Sequence, residues 1–155
     1  MKPAALLASV ILAMTLTSAH AGEATETVRG FYSDVEFEAD PSFRDRFVDP
    51  AKAKFAENDA QSSNGEEVGC IDFVLAIDAQ DYDEKVLAKT LQLSEDVQGE
   101  AATVTAKFSL FENQDDAQRE IVWSLKNVDG AWKVSDIESK TSDWKLSQLD
   151  CTSGN

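Results

Sequence analysis

Two stretches decide the fold: Thr103-Val104-Thr105-Ala106-Lys107-Phe108-Ser109-Leu110, and Glu120-Ile121-Val122-Trp123-Ser124-Leu125-Lys126-Asn127-Val128-Asp129-Gly130-Ala131-Trp132-Lys133-Val134-Ser135-Asp136. In the first, Val104, Ala106, Phe108 and Leu110 alternate with Thr103, Thr105, Lys107 and Ser109. A period of two marks a strand with one buried face. In the second, Ile121, Trp123 and Leu125 alternate with Glu120, Val122, Ser124 and Lys126. Asp129-Gly130 is a two-residue hairpin pair, because such a turn needs positive φ at both central positions. Trp132 and Val134 carry the returning strand, and Asp136 follows nominally on their face. Asn113 to Gln118 turns the chain between the first two strands. The outcome is an antiparallel sheet.

Upstream of the sheet the apolar period lengthens. Thr25 to Phe37 is expected to be helical, with Val28, Phe31, Tyr32 and Val35 on one face. Asp40-Pro41 and Asp49-Pro50 each place a capping carboxylate before a proline suited to the first helical position. They are expected to start two short helices, Ser42 to Val48 and Ala51 to Asn58. Asp59 to Gly69 is polar and reads as a loop. Cys70 to Ile77 fits either a short strand or a helical turn. Val86 to Ser94 is expected to form a further strand, and Ser142 to Leu149 a tail helix returning Trp144 and Leu149 to the body. Helices followed by strands read as α+β, one domain over 22–155 with its helices packed on a curved antiparallel sheet.

The amino terminus carries an address. Lys2 precedes the apolar run Ala4 to Met14, and Ala19-His20-Ala21 is a small-x-small cleavage pattern. This is a secretory leader, 1–21, since its apolar core is short for a bilayer span. The expected location is the periplasm or beyond, with cleavage after Ala21. Gly22 would then be the first residue. A lipoprotein needs cysteine there, so the expectation is a soluble chain with no membrane insertion.

Composition removes several chemistries. The formal net charge is −15, and loss of Lys2 with the leader makes it one unit more negative. Such a surface repels phosphate backbones, which excludes nucleic acid, and it suits a basic protein or a cationic ligand. His20 is the single histidine and lies in the leader. Histidine bases, Ser-His-Asp and Cys-His catalysis and the usual zinc sets are thereby excluded. Cys70 and Cys151 are the two cysteines. In an oxidising compartment they are expected to pair, closing a loop for which chain entropy sets an upper figure of about 4–5 kcal/mol. No glycine-rich phosphate cradle or Gly-x-Ser-x-Gly elbow occurs.

The order of elements, closing on Asp129-Gly130-Ala131-Trp132-Lys133-Val134-Ser135-Asp136-Ile137, resembles the cone-shaped, cystatin-like fold of nuclear transport factor two and ketosteroid isomerase. With Val28-Arg29-Gly30-Phe31-Tyr32 and Ala79-Gln80-Asp81-Tyr82, it is similar to a family of small exported bacterial domains of that superfamily, some of them lipoproteins. The resemblance implies a concave sheet face covered by the first helix. It implies no established activity.

Several residues are candidates for chemistry. Asp136, if inward, would sit in an apolar pocket as an acid or base, and Tyr32 could donate to an oxyanion as a tyrosine does in ketosteroid isomerase. A bulge near Asp136 would instead turn it outward and bring Ile137 inward. Asp78, Asp81, Asp83 and Glu84 form an acidic run that suits either a hard cation or ordinary solvation, with Asp81 capping a turn. Trp123 and Trp132 either stack across the hairpin or line a ligand pocket. The function read from these residues is a non-enzymatic binding or protein-interaction module, an immunity-type inhibitor being one version. A ketosteroid isomerase-like enzyme using Asp136 and Tyr32 is the alternative. Neither reading calls for a cofactor or a metal.

Overall fold

The computed structural model describes residues 22–63 and 69–151. The expected leader, 1–21, and its cleavage site lie outside the described residues. Five antiparallel strands form a meander in the order β1-β2-β3-β4-β5: β1 Gln92–Gln98, β2 Ala101–Ser109, β3 Gln118–Val128, β4 Ala131–Ser139 and β5 Trp144–Lys145. Helices α1 (Glu23–Ser33), α2 (Ala51–Ser63) and α3 (Glu84–Thr90) complete an α+β domain.

The period-two reading is met in the sheet. Ala102, Val104, Ala106 and Phe108 of β2 are buried, as are Ile121, Trp123 and Leu125 of β3. The β3–β4 turn has φ 54 at Asp129 and 86 at Gly130, the left-handed pair expected of a two-residue hairpin. Val28, Phe31 and Tyr32 of α1 and Phe55 of α2 are buried in the same core. Each such side chain contributes about 1.5–3 kcal/mol of burial.

Four expectations are corrected. Helix α1 ends at Ser33 rather than Phe37, because Asp34 turns extended. The Asp40-Pro41 helix is a 3-10 helix, Pro41–Arg46, capped as expected by Asp40, whose carboxylate accepts from Ser42 N. Helix α2 runs on to Ser63 instead of stopping at Asn58. Its buried Asn58 accepts from Ile71 N at 2.9 Å. A Cβ at Gly69 would fall 2.1 Å from Asn58 Oδ1, so only glycine fits this approach. Val86 to Ser94 is not one strand. Asp83 accepts from Lys85 N and Val86 N and caps α3, which buries Val86 and Leu87 before β1 begins. Local capping outweighs the weak alternation of that segment.

The tail is a fifth correction. Ser142 to Leu149 forms β5 and a 3-10 helix, Leu146–Gln148, not an α-helix. Side-chain acceptors from two other segments take its donors, and the edge of β4 pairs its backbone, Glu138 with Lys145 and Ser139 with Trp144. The ambiguous Cys70 to Ile77 segment is neither strand nor helix. It is a buried turn closed by a single antiparallel bridge, Val74 to Ala79. Cys70 and Cys151 are bonded, with Cα atoms 4.9 Å apart, and tie the tail to this segment.

Candidate functional site

The helix-covered face of the sheet holds the first candidate residues. Trp123 is fully buried, and its Nε1 donates to Tyr32 Oη at 3.1 Å. Phe31 lies 4.8 Å from the Trp123 ring and Phe108 5.4 Å from the Tyr32 ring, centroid to centroid. Burial pushes the Tyr32 hydroxyl far above its ordinary value; the Trp123 bond opposes this and Glu38 adds to it. Tyr32 is therefore a neutral partner inside a packed aromatic cluster.

Trp132 does not stack on Trp123. It stands opposite Asn127, whereas Trp123 stands opposite Ile137. Four residues along a strand set the two backbone positions about 13 Å apart. Trp132 is half-buried at the turn end of the hairpin.

Asp136 is turned away from the helix-covered face. The β3–β4 register shifts between Ser124 and Leu125, which pair with Asp136 and Val134, so Ser135 is the extra residue of a bulge. Ser135 Oγ donates to Ser124 O at 3.1 Å. Past the bulge Ile137, not Asp136, occupies the inward place and is fully buried. Asp136 is 6% exposed on the opposite side. Its Oδ1 accepts from Ile137 N and Ser147 N at 3.0 Å, its Oδ2 accepts from Ser147 Oγ at 2.6 Å, and Lys145 Nζ lies 3.5 Å from Oδ2. The carboxylate holds the tail.

The acidic run divides among separate tasks. Asp78, in the left-handed region at φ 52, points its carboxylate into the tail. Trp144 Nε1 donates to Oδ1 at 2.6 Å; Ser139 Oγ and Ser142 Oγ donate to Oδ2 at 2.7 and 2.5 Å; Arg119 Nε lies 3.8 Å from Oδ2. Asp81 is exposed and accepts from Tyr82 N at 2.9 Å. Asp83 caps α3. Among the described residues these carboxylates do not converge as a metal site.

Two structural acids escape sequence reasoning. Asp78 reads as one more solvated charge, yet it organises the tail. Glu38 is 2% exposed and accepts from Leu75 N and Ala76 N, both at 2.9 Å. Burial pushes its carboxyl up to about 7 against those backbone bonds. Its one signal is position: a lone acid between Phe37 and Ala39 after the first helix.

A surface groove of about 460 Å³ opens between the end of α1 and α3. Val35, Tyr82, Leu87 and Leu91 supply apolar walls, and Asp34 and Glu84 stand on its rim. Both rim carboxylates belong to exposed residues. Burial raises the Tyr82 hydroxyl above its ordinary value, and Glu84 and Asp34 raise it further. The cation in the lining, Arg29, is engaged by Glu26 at 3.1 Å.

No family model matches the chain. No curated protein matches it. Among solved structures it is similar to a chain in the crystal structure of the type VI native effector–immunity complex Tae3–Tai3 from Ralstonia pickettii. The identity is 19% and the TM-score 0.49, over 75% of this chain and 93% of that one. The likeness is one of outline.

Proposed function

We propose that this chain is an exported, non-enzymatic protein-binding module, built on a cone-type α+β body and of the immunity kind: an acidic domain that blocks a basic partner. One observation carries the reading. The two groups that an isomerase-like site needs together lie on opposite faces of the sheet. Tyr32 is packed inside against Trp123, while Asp136 faces the tail and is engaged by Ser147. The helix-covered face of the sheet is filled by Phe31, Tyr32, Phe108 and Trp123. Recognition is accordingly assigned to the outer surface, where a net charge of −15 favours cationic partners.

The leader-like first 21 residues and the bonded Cys70–Cys151 pair support a periplasmic address. Intact-mass measurement of protein recovered from the periplasm tests it. A chain beginning at Gly22 is expected, and a full-length or lipid-modified mass overturns the address. The binding reading is tested by producing the chain with the secreted protein encoded beside it and seeking a stoichiometric complex. Small-molecule turnover that disappears in Asp136→Asn overturns it in favour of the enzyme.

A further inference from the structure

We propose that the groove between the end of α1 and α3 is the recognition site, and that its occupant is a lysine or arginine side chain on a loop of a basic protein. The proposal rests on the protein-binding reading and adds the surface and the chemistry.

A lysine or arginine side chain has two parts, an aliphatic stem and a cationic head. The groove offers a counterpart to each. Val35, Leu87 and Leu91 line it with hydrocarbon, and the Tyr82 ring adds an aromatic wall suited to a cation. Asp34 and Glu84 face it from two different elements, the stretch after α1 and the first turn of α3. A head group between them would meet acceptors on both sides. Its volume, about 460 Å³, falls in the range of side-chain and small-ligand sites.

The groove's own chemistry supports the charge argument. The hydroxyl of Tyr82 resists ionisation, and Glu84 and Asp34 are among the reasons. The potential there is negative, which a cation relieves and an anion worsens. Arg29 also lines the groove, and its Nε donates to Glu26 at 3.1 Å, so the lining sets two carboxylates against one partly paired guanidinium. The carboxylates of Asp78, Asp83, Glu95 and Asp136 are committed to hydrogen bonds within the fold. Asp34 and Glu84 are exposed beside the Val35, Tyr82 and Leu91 side chains, so the head of a bound cation would keep part of its hydration while its stem lies on hydrocarbon.

The test uses the full chain and three capped tripeptides as probes: Gly-Lys-Gly, Gly-Glu-Gly and Gly-norleucine-Gly. Backbone amide shifts are followed during titration. The lysine peptide is expected to give saturable shifts centred on Val35, Tyr82 and Leu87, and the other two none. Asp34→Asn with Glu84→Gln should weaken binding about tenfold, the weight of one charge-assisted hydrogen bond. Ala88→Lys, on the exposed side of α3, should fill the groove with its own cation and give the same loss without touching either carboxylate. Shifts spread over the whole acidic surface without saturation overturn the site, as does equal binding of the norleucine peptide. With the protein partner in hand, a complex whose affinity is unchanged in both variants removes the groove and leaves the module reading standing. Failure of the wild-type chain to form any complex removes the module reading itself.

Discussion

Asp78→Ala should release the tail. The Asp78 carboxylate receives Trp144 Nε1, Ser139 Oγ and Ser142 Oγ within 2.5–2.7 Å, with Arg119 Nε at 3.8 Å. Hydrogen bonds to a charged group contribute about 1.5–3 kcal/mol each but are not additive, and breaking a buried charged network costs about 3–5 kcal/mol. Alanine adds a backbone cost, since φ 52 at this position lies where a Cβ without a local hydrogen bond is disfavoured by about 1–2 kcal/mol. The expected loss is about 4–7 kcal/mol, or roughly 12–35 °C in Tm for a domain of this size. Asp78→Asn separates the two contributions. Asparagine tolerates the left-handed backbone and keeps one acceptor for Trp144, so it should cost about 1–2 kcal/mol. Denaturant unfolding of wild type, both variants and Trp144→Phe gives the coupling directly. Trp144→Phe retains an aromatic ring against Phe73, now 5.2 Å away, while removing the indole donor. A loss below about 1 kcal/mol in Asp78→Ala, or no coupling between Asp78→Ala and Trp144→Phe, would refute the reasoning.

Other outcomes follow from the same geometry. Glu38 has a folded carboxyl raised from 4.5 to about 7, so between those values the folded chain binds more protons than the unfolded one. Stability should therefore fall as pH rises from about 4.5 to 7, and Glu38→Gln should flatten that slope in urea titrations across the window. Cys70 and Cys151 should show no free thiol under denaturing, non-reducing conditions; reduction should lower stability by about 2–5 kcal/mol while far-ultraviolet dichroism stays recognisable. Asp136→Asn should cost about 1–2 kcal/mol, because its amide oxygen still accepts from Ile137 N and Ser147 N, and amide exchange should rise first over the tail.

The sheet was legible because each of its central strands has one buried face, and burial on one face writes a period of two into Val104–Ala106–Phe108 and Ile121–Trp123–Leu125. The Asp129-Gly130 turn was legible because few residue pairs accept two positive φ angles. Legibility failed where side chains act at long range. The tail departs from its helical pattern because Asp78 and Asp136, 66 and 11 residues from their tail partners, draw off its donors. No local propensity carries that information. Asp136 shows the sensitivity of period-two reasoning: one bulged residue, Ser135, reverses the face of everything after it. The segment before β1 was misread because Val86, Leu87, Leu91 and Leu93 suit a strand or a helix equally, and the Asp83 cap decides between them. Of the candidate site, Tyr32 and Trp123 were placed correctly on the inner face, but their pairing closes the face they were expected to line. The groove was legible only in fragments: Glu84 stood in the acidic run and Tyr32 among the candidate residues, but Asp34 resembles any surface acid and lies far from Glu84 in the chain.

The central claim is that this chain acts by binding a basic protein at its surface, with Asp136 serving the fold. Calorimetric titration of the full chain with the secreted protein encoded beside it tests this most directly, run on wild type, Asp136→Asn and the Asp34→Asn, Glu84→Gln double variant. The account predicts a saturating complex that weakens with added salt, persists unchanged in Asp136→Asn and weakens at least tenfold in the double variant. No complex in the wild type, together with turnover of a small molecule that Asp136→Asn abolishes, would contradict it.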